Sequence, residues 1–512
     1  MSSLKFAEGL ASGFSGHETR RTWSSWRSAS ALGFALGLLA VGVNALLAAA
    51  TNRLVATPHG GTFFMAGIFL LLCGWVLLGF VQRPERHRGA DILGGLTVAM
   101  VTVIFVAGYL MVLTEAVPSF SLGLYESANA ITTTALSGVN VEALSAGSQV
   151  FRAGLQWTGG LATLLLGVAI VPTLGAGRDL ADRVGQSGML PLAPSGGQAA
   201  RNILFIYLPL SLALWLAFAL TGMGVFDGLL LALSVVSTGG LAVPGDPFRS
   251  GVVQWIAIVG MSLSGVSLVV LWRLAQRKTQ GLWRSMELRF YLLGTLGLAL
   301  LLIYSADDFG LESVRHAAFI ASSAISTTGF AAQPFGPWVP LVPVAILCAT
   351  AIGGMAGSIS GGFHLQPLVA LVRLSRRELL RQLHPRMVLP LRLGGVPVDE
   401  RTIERMVVLQ FLFIATVITT SLAVALTGFS VVDALGMAVH ATATGGPVRS
   451  SDGIPQDPAS WGVLSRLVLI PAMVAGRMAI FPVLVTATSV GAVTQQKLHL
   501  AGRRVRKNLR RS

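Results

Sequence analysis

Charge and sulfur are both scarce in this sequence. Asp, Glu, Lys and Arg make up only 12% of its 512 residues, against about 25% in an ordinary soluble domain, while 53% are hydrophobic and the mean hydropathy is +0.71. A chain so poor in charge cannot solvate its surface in water, so its solvent is lipid. Lysine is nearly missing: Lys5, Lys278, Lys497 and Lys507 all lie outside the apolar stretches, which excludes an intramembrane Schiff-base lysine. Two cysteines, Cys73 and Cys348, both in apolar runs, leave no basis for a disulfide framework or a metal cluster. There is no Gly-x-x-x-x-Gly-Lys-Ser/Thr loop for a nucleotide, and no Gly-x-Ser-x-Gly, His-Glu-x-x-His or paired intramembrane aspartates for an enzyme. The first 30 residues are polar and basic, and no signal peptide is expected from them.

The apolar residues that are present run on continuously rather than alternating, which selects membrane helices over a barrel. Ten spans of about 20 residues can be placed near 31–51, 63–81, 92–114, 154–174, 203–221, 251–271, 290–305, 339–372, 407–427 and 467–489. The net charge of +15 sits between and beyond these spans, not on one soluble face, which argues against nucleic acid as partner. Arginine clusters at 83–88, 178–201, 273–289, 373–405 and 503–507 fall on one side if the spans alternate. That side is cytoplasmic, with both termini inside, in a bacterial inner membrane. Basic segments there bind the membrane lipid surface. The opposite side holds Glu115, Glu126, Glu142, Asp227, Asp246, Asp307, Asp308, Glu312, Asp433, Asp452 and Asp457, which would concentrate cations at an outer vestibule. Ordinary loop solvation accounts for the same bias.

Four outer segments repeat one another. Each has an apolar stretch too short to span, then a cluster of Ser, Thr and Gly: 126–136, 227–241, 316–330 and 433–447. Aligning their ends stacks Thr134-Ala135-Leu136 on Gly239-Gly240-Leu241, Thr328-Gly329-Phe330 and Gly445-Gly446-Pro447. In that register Asp227 and Asp433 each lie thirteen residues before their glycine, with His316 and Leu122 in the same place in the other copies. The predicted unit is helix, half-helix, extended strand, helix, four times over. Irregular backbone at membrane depth is tolerated only where it is buried in protein or lines a water-filled path. A half-helix entering from outside aims its partially negative C-terminus at the membrane centre, and extended Thr-Gly backbone there presents carbonyl oxygens in place of a cation's water shell. The expected fold is therefore an all-α polytopic membrane protein with four helix–pore-loop–helix repeats around a central pore. Turns between hairpin helices would explain one such segment better than four in register.

Three further stretches stand out: Gln156-Trp157-Thr158-Gly159-Gly160-Leu161-Ala162, the run from Ile352 to His364, and Gly476-Arg477-Met478-Ala479-Ile480-Phe481-Pro482. With them the chain resembles the TrkH/TrkG/KtrB potassium-transporter superfamily, to which the plant HKT transporters also belong, over about residues 90–490, and its two extra N-terminal spans are similar to the TrkH branch. The resemblance implies K+ uptake, with K+ as the transported ion and no tightly bound cofactor. It implies an intramembrane gating loop at Gly353, Gly354, Gly357, Ser358, Gly361 and Gly362, contacted by Arg477. A mid-membrane arginine is costly unless paired or hydrated, and five glycines in ten residues will not remain regular helix. The resemblance further implies a homodimer on a cytoplasmic ring of nucleotide-binding regulatory subunits. The units expected are 1–90 (N-terminus and two extra helices), repeats at 91–175, 200–272, 287–376 and 403–490, and a basic tail at 491–512.

The sequence departs from the family pattern in three places. Ala135 stands where the family has the first filter glycine, His364 replaces a lysine that ends the gating-loop motif, and Ala479 replaces an acid after the arginine. A Cβ at 135 penalises glycine-type dihedrals, and a tilted carbonyl there would weaken K+ over Na+ discrimination; in the HKT branch a serine at this place accompanies Na+ transport. The alternatives are a less selective Na+/K+ conduit and an ion-coupled secondary symporter. Coupling would call for carboxylates or histidines near the bilayer midplane, and the expected spans hold only His364.

Overall fold

The computed structural model describes residues 16–81, 89–173, 196–280, 282–305, 310–330, 341–384, 391–393, 396–397, 400–446 and 457–478. These residues are almost entirely helical. The N-terminal pair is α1 (Gly16–Val55) and α2 (Gly60–Phe80). The stretch expected as the first repeat holds α3 (Gly89–Leu113), α4 (Phe120–Thr132) and α5 (Ala146–Thr173), and that expected as the second holds α6 (Gly196–Phe218), α7 (Val225–Val236), α8 (Gly251–Ser264) and α9 (Leu268–Ala275). The third comprises α10 (Met286–Ser305), α11 (Leu311–Ile325), α12 (Leu341–Ile352) and α13 (Leu365–Leu383). The fourth comprises α14 (Glu400–Ala425), α15 (Val431–Ala443) and α16 (Val463–Arg477). A two-residue antiparallel pairing, Arg392–Leu393 with Val396–Pro397, precedes α14.

Lipid is written into the side-chain pattern. Helix α2 buries only Phe63, Gly67, Leu70 and Gly74, one stripe at helical spacing, while Met65 is 76% and Trp75 71% exposed beside other apolar residues. In water such a surface would aggregate; in a bilayer it needs only a small-residue stripe for its neighbour, and Gly67 lies against Leu46 and Gly42 of α1. The polar Asn44 of α1 reaches across to α5, donating from Nδ2 to Thr158 Oγ1 at 3.1 Å.

Among the described residues six helices are long and apolar enough to cross a membrane, seven if a bent pair is one span. That is fewer than the ten expected, for three reasons. The expected spans at 154–174 and 467–489 run into residues outside the described set. The span at 339–372 is broken between Ile352 and Leu365. The span at 251–271 is not straight: α8 and α9 meet at Gly265-Val266-Ser267 and diverge by 107°. The corner has a physical cause. Carbonyls of Ser264 and Gly265, freed at the end of α8, accept N–H groups of Ile359 and Met355 at 3.2 and 3.0 Å, and Leu268 N donates to Gly357 O at 2.9 Å.

The short helices α4, α7, α11 and α15 hold 13, 12, 15 and 13 residues. At 1.5 Å per residue each is about 20 Å long, too short for a hydrocarbon core of about 30 Å. Helices α4 and α15 begin at serine caps, Ser119 Oγ accepting from Leu122 N and Ser430 Oγ from Asp433 N, whereas α7 and α11 begin at Gly224 and Gly310 without a side-chain cap; all four end buried in the middle of the molecule.

Their positions depend on backbone-to-backbone approach. A Cβ on Gly476 of α16 would overlap the Thr442 carbonyl at the end of α15, and one on Gly159 of α5 would overlap the Ile131 carbonyl of α4. Gly476→Val should therefore lower the thermal unfolding midpoint of the detergent-solubilised protein, an overpacking cost of about 1–3 kcal/mol. Gly297→Ala, where nothing lies within 4 Å of the added Cβ, should leave it unchanged. Equal midpoints for the two variants would refute this packing.

Candidate functional site

Each short helix ends in a threonine turned into the left-handed region: Thr133 (φ 55°), Thr238 (53°), Thr327 (58°) and Thr444 (50°). Two residues on, the backbone turns left-handed again at Ala135 (59°), Gly240 (58°) and Gly329 (81°). Alternation of this kind keeps successive carbonyls on one side of the strand. The residues between, Thr134, Gly239, Thr328 and Gly445, donate their N–H groups back into the helix, to the carbonyls of Asn129, Ser234, Ser323 and His440 at 2.8–3.0 Å.

Those four acceptor residues have a second use. Each lies six positions before the ring residue of its loop, and each turns its side chain onto its own loop. Asn129 Oδ1 accepts from Leu136 N and Ser234 Oγ from Leu241 N, both at 2.8 Å. Ser323 Oγ donates to Phe330 O at 2.8 Å, and His440 Nδ1 contacts Gly445 O. All four are buried. Sequence reasoning assigned none of them this role, although the aligned segments carry the signal: in all four copies a polar residue stands in that place. Gln156, from the first of the three quoted stretches, adds another support across the loops, its Nε2 donating to Gly239 O at 2.6 Å.

The four loops close on one another. A Cβ built on Gly240 would strike the Thr328 carbonyl and lie 2.6 Å from Ala135 Cβ. One on Gly329 would lie 2.6 Å from Gly446 C, and one on Gly446 2.7 Å from Ala135 C. The cycle of neighbours is thus Ala135, Gly240, Gly329, Gly446 and back to Ala135. Thr134, Leu136, Gly239, Leu241, Thr328, Phe330 and Gly445 are buried around it; Pro447 lies outside the described residues. The expected disturbance at Ala135 is not seen in its φ, which matches Gly240 to a degree. An L-residue in that region costs about 1–2 kcal/mol, so the surroundings hold it there.

The carbonyls of Gly239, Phe330 and Gly445 each take a protein contact. No hydrogen bond from a described residue reaches the carbonyl oxygens of Thr134, Ala135, Gly240, Thr328, Gly329 or Gly446. Buried carbonyls without donors are rare in proteins, and a ring of them is suited to a dehydrated cation.

Below the ring sits the stretch Gly353–His364. Gly353, Gly357, Gly362 and His364 have φ of 72°, 74°, 82° and 63°, so it cannot be helix. Of the predicted residues, Gly353, Gly354, Ser358 and Gly361 are buried, Gly362 half-buried and Gly357 exposed. The loop touches the ends of three short helices or their turns: Gly361 N donates to Thr327 Oγ1 at 2.8 Å, Thr238 Oγ1 to Ile359 O at 3.4 Å, and Gly361 lies against Ala443 and Thr444. Arg477 Nη1 donates to Ile359 O at 2.9 Å, while its Nε and Nη2 are buried without a partner. Sequence reasoning missed the opposite tether, Ala356 N donating to Glu287 Oε1 at 2.6 Å from the start of α10. It also missed the α8–α9 corner. Ala479 lies outside the described residues.

Asn129→Leu would leave Leu136 N without its acceptor, an expected loss of about 1–3 kcal/mol, whereas Asn129→Ser reproduces the second loop. Thermal unfolding of the purified protein checks this: the leucine variant should melt earlier than the serine variant, and the reverse order would contradict the assigned support.

Sequence comparison agrees with this geometry. The sequence profile of TrkH, described as a cation transport protein, matches residues 59–306 and 310–494. The chain is 29% identical over 476 residues to the Trk system potassium uptake protein TrkH of Vibrio parahaemolyticus, covering 88% of this chain and 96% of that one. It is 27% identical over 452 residues to TrkH of Escherichia coli K12, covering 85% and 93%, and 28% identical over 391 residues to TrkG of the same organism, covering 72% and 78%. The crystal structure of the potassium transporter TrkH from V. parahaemolyticus superposes with a TM-score of 0.80 at 24% identity, over 89% of this chain and 98% of that one, so the fold is shared. The chain belongs to the TrkH family of cation transport proteins, and is a transporter rather than an enzyme.

Proposed function

We propose that this protein takes up K+ across a bacterial inner membrane by conduction through the ring formed by Ala135, Gly240, Gly329 and Gly446, with the loop Gly353–His364 as its gate. The observation that carries the reading is the set of buried carbonyls without donors where four loops meet. Such oxygens replace the water of a dehydrated cation. Four short helices ending there add their partial negative charge. The relatives named above are K+ uptake proteins, which supports K+ as the ion. Ala135 keeps the left-handed φ of the glycines, which favours a K+ filter over the less selective Na+/K+ conduit.

The gate reading rests on Arg477. Its guanidinium places a positive charge on the cytoplasmic side of the ring and holds Ile359 O, so the same residue blocks and repels a cation while the loop is in place. We further infer that both termini face the cytoplasm, which the bias of arginine-rich loops to one side supports, and that the protein acts as a homodimer with a nucleotide-binding cytoplasmic partner of the Trk system. Val372, Leu379 and Leu383 of α13 are exposed apolar residues on a helix that also carries Arg376, Arg377 and Arg381, a face suited to lipid or protein.

Expression in a K+-uptake-deficient bacterium should restore growth at low K+, and purified protein in liposomes should carry Rb+. Gly329→Ser, whose side chain would enter the Gly446 backbone, should abolish both. Absence of Rb+ flux in the wild type with its regulatory partner present would sink the conduit. Arg477→Ala should raise flux measured without that partner by about tenfold, ~1.4 kcal/mol of gating energy; unchanged flux would remove Arg477 from the gate.

A further inference from the structure

The four loops are not supported alike. Behind the first loop, Glu126 of α4 and Arg152 of α5 form an ion pair at 3.1 Å with side chains 0% and 3% exposed. Among the described residues it is the one ion pair with both partners buried. Glu126 also accepts from Gly138 N through Oε1 at 2.7 Å and from Ser137 Oγ through Oε2 at 3.0 Å, and Arg152 Nη2 contacts the same hydroxyl. The pair therefore grips the two residues that follow Ala135-Leu136. In the other loops the place of Glu126, nine before the ring residue, is held by Leu231, Ile320 and Met437.

A buried ion pair contributes little net stability compared with apolar side chains of the same volume. What it does supply is direction: a carboxylate with two bound donors fixes the backbone it holds. The first loop is also the loop whose ring residue has a side chain. Gly240 and Gly329 adopt the left-handed region without penalty. Ala135 must be kept there from outside, by Asn129 on Leu136 and by the ion pair on Ser137 and Gly138.

We infer that Glu126 and Arg152 are positioning residues that set ion selectivity, holding the Ala135 carbonyl in the ring where glycine is absent. The inference rests on the K+-filter reading above. It makes the ion pair and the alanine interdependent: with glycine at 135 the brace becomes dispensable for selectivity.

The test is a cycle of variants in liposomes, reading the K+/Na+ permeability ratio from reversal potentials together with Rb+ flux. Glu126→Leu/Arg152→Leu copies Leu231 of the second loop and leaves no lone charge. It should retain cation flux while the K+/Na+ ratio falls about tenfold, ~1.4 kcal/mol. In the Ala135→Gly background the same pair of changes should move the ratio by less than about twofold. A ratio unchanged by the double variant, or lowered equally in both backgrounds, overturns the inference. Should the double variant fail to yield folded protein, Ser137→Ala decides: a lowered ratio that Ala135→Gly restores supports the brace, and an unaltered ratio refutes it. A wild-type protein without cation flux would instead refute the underlying filter reading, so the two failures are distinguishable.

Discussion

Backbone amides in the four loops have no water to turn to on the side facing the protein, and where each N–H goes decides where the carbonyls are left. Every loop sends the N–H before its ring residue into the terminal turn of its own short helix, and two of them send a later N–H to a side chain of that helix. Once the donors are bound from behind, the carbonyls of the ring residues accept no hydrogen bond from any described residue. Free carbonyls and bound amides are two halves of one arrangement. The short helices, the left-handed threonines and the close glycine contacts all serve it.

The same constraint explains why the supports differ chemically while acting alike. Asn129, Ser234, Ser323 and His440 supply an acceptor, an acceptor, a donor and a ring nitrogen from a single geometric position. A position defined by reach, rather than by residue type, lets four copies diverge without losing the ring. It also lets one copy lose its glycine. The left-handed cost at Ala135, about 1–2 kcal/mol, is within what a few buried hydrogen bonds at about 1 kcal/mol each can offset.

Much of this was legible in the sequence because it is periodic. Four Ser/Thr/Gly clusters in register gave the ring, Ala135 included, and the glycine run gave the break after Ile352. What could not be read was pairwise. The Glu126–Arg152 contact joins residues 26 apart on different helices, and a carboxylate on an outer segment reads as vestibule charge until its partner is seen. The α8–α9 corner was hidden for a similar reason. Gly265-Val266-Ser267 is unremarkable in an apolar run, and the chain bends there because backbone from 355–359, almost a hundred residues later, takes up the freed hydrogen bonds. The supports from His440 and Ser323 were hidden too, because their partners are main-chain atoms of the loops that follow them.

The proposed gate shows how such pairwise contacts divide the labour. The loop Gly353–His364 is bonded to the α8–α9 corner and Thr238 of the second repeat, to Thr327 and Glu287 of the third, and to Arg477 of the fourth. Among the described residues no hydrogen bond joins it to the first repeat. On the gate reading, a loop held by several single bonds, each about 1 kcal/mol net, would be released by modest forces from the cytoplasmic side. Displacing it would carry the Ile359 carbonyl away from Arg477, leaving a guanidinium that already has two unpartnered nitrogens without a buried acceptor. That charge must then be solvated. Water entering beneath the ring would hydrate the arginine and the departing ion together, so on this reading wetting of the cavity and opening of the gate are one event.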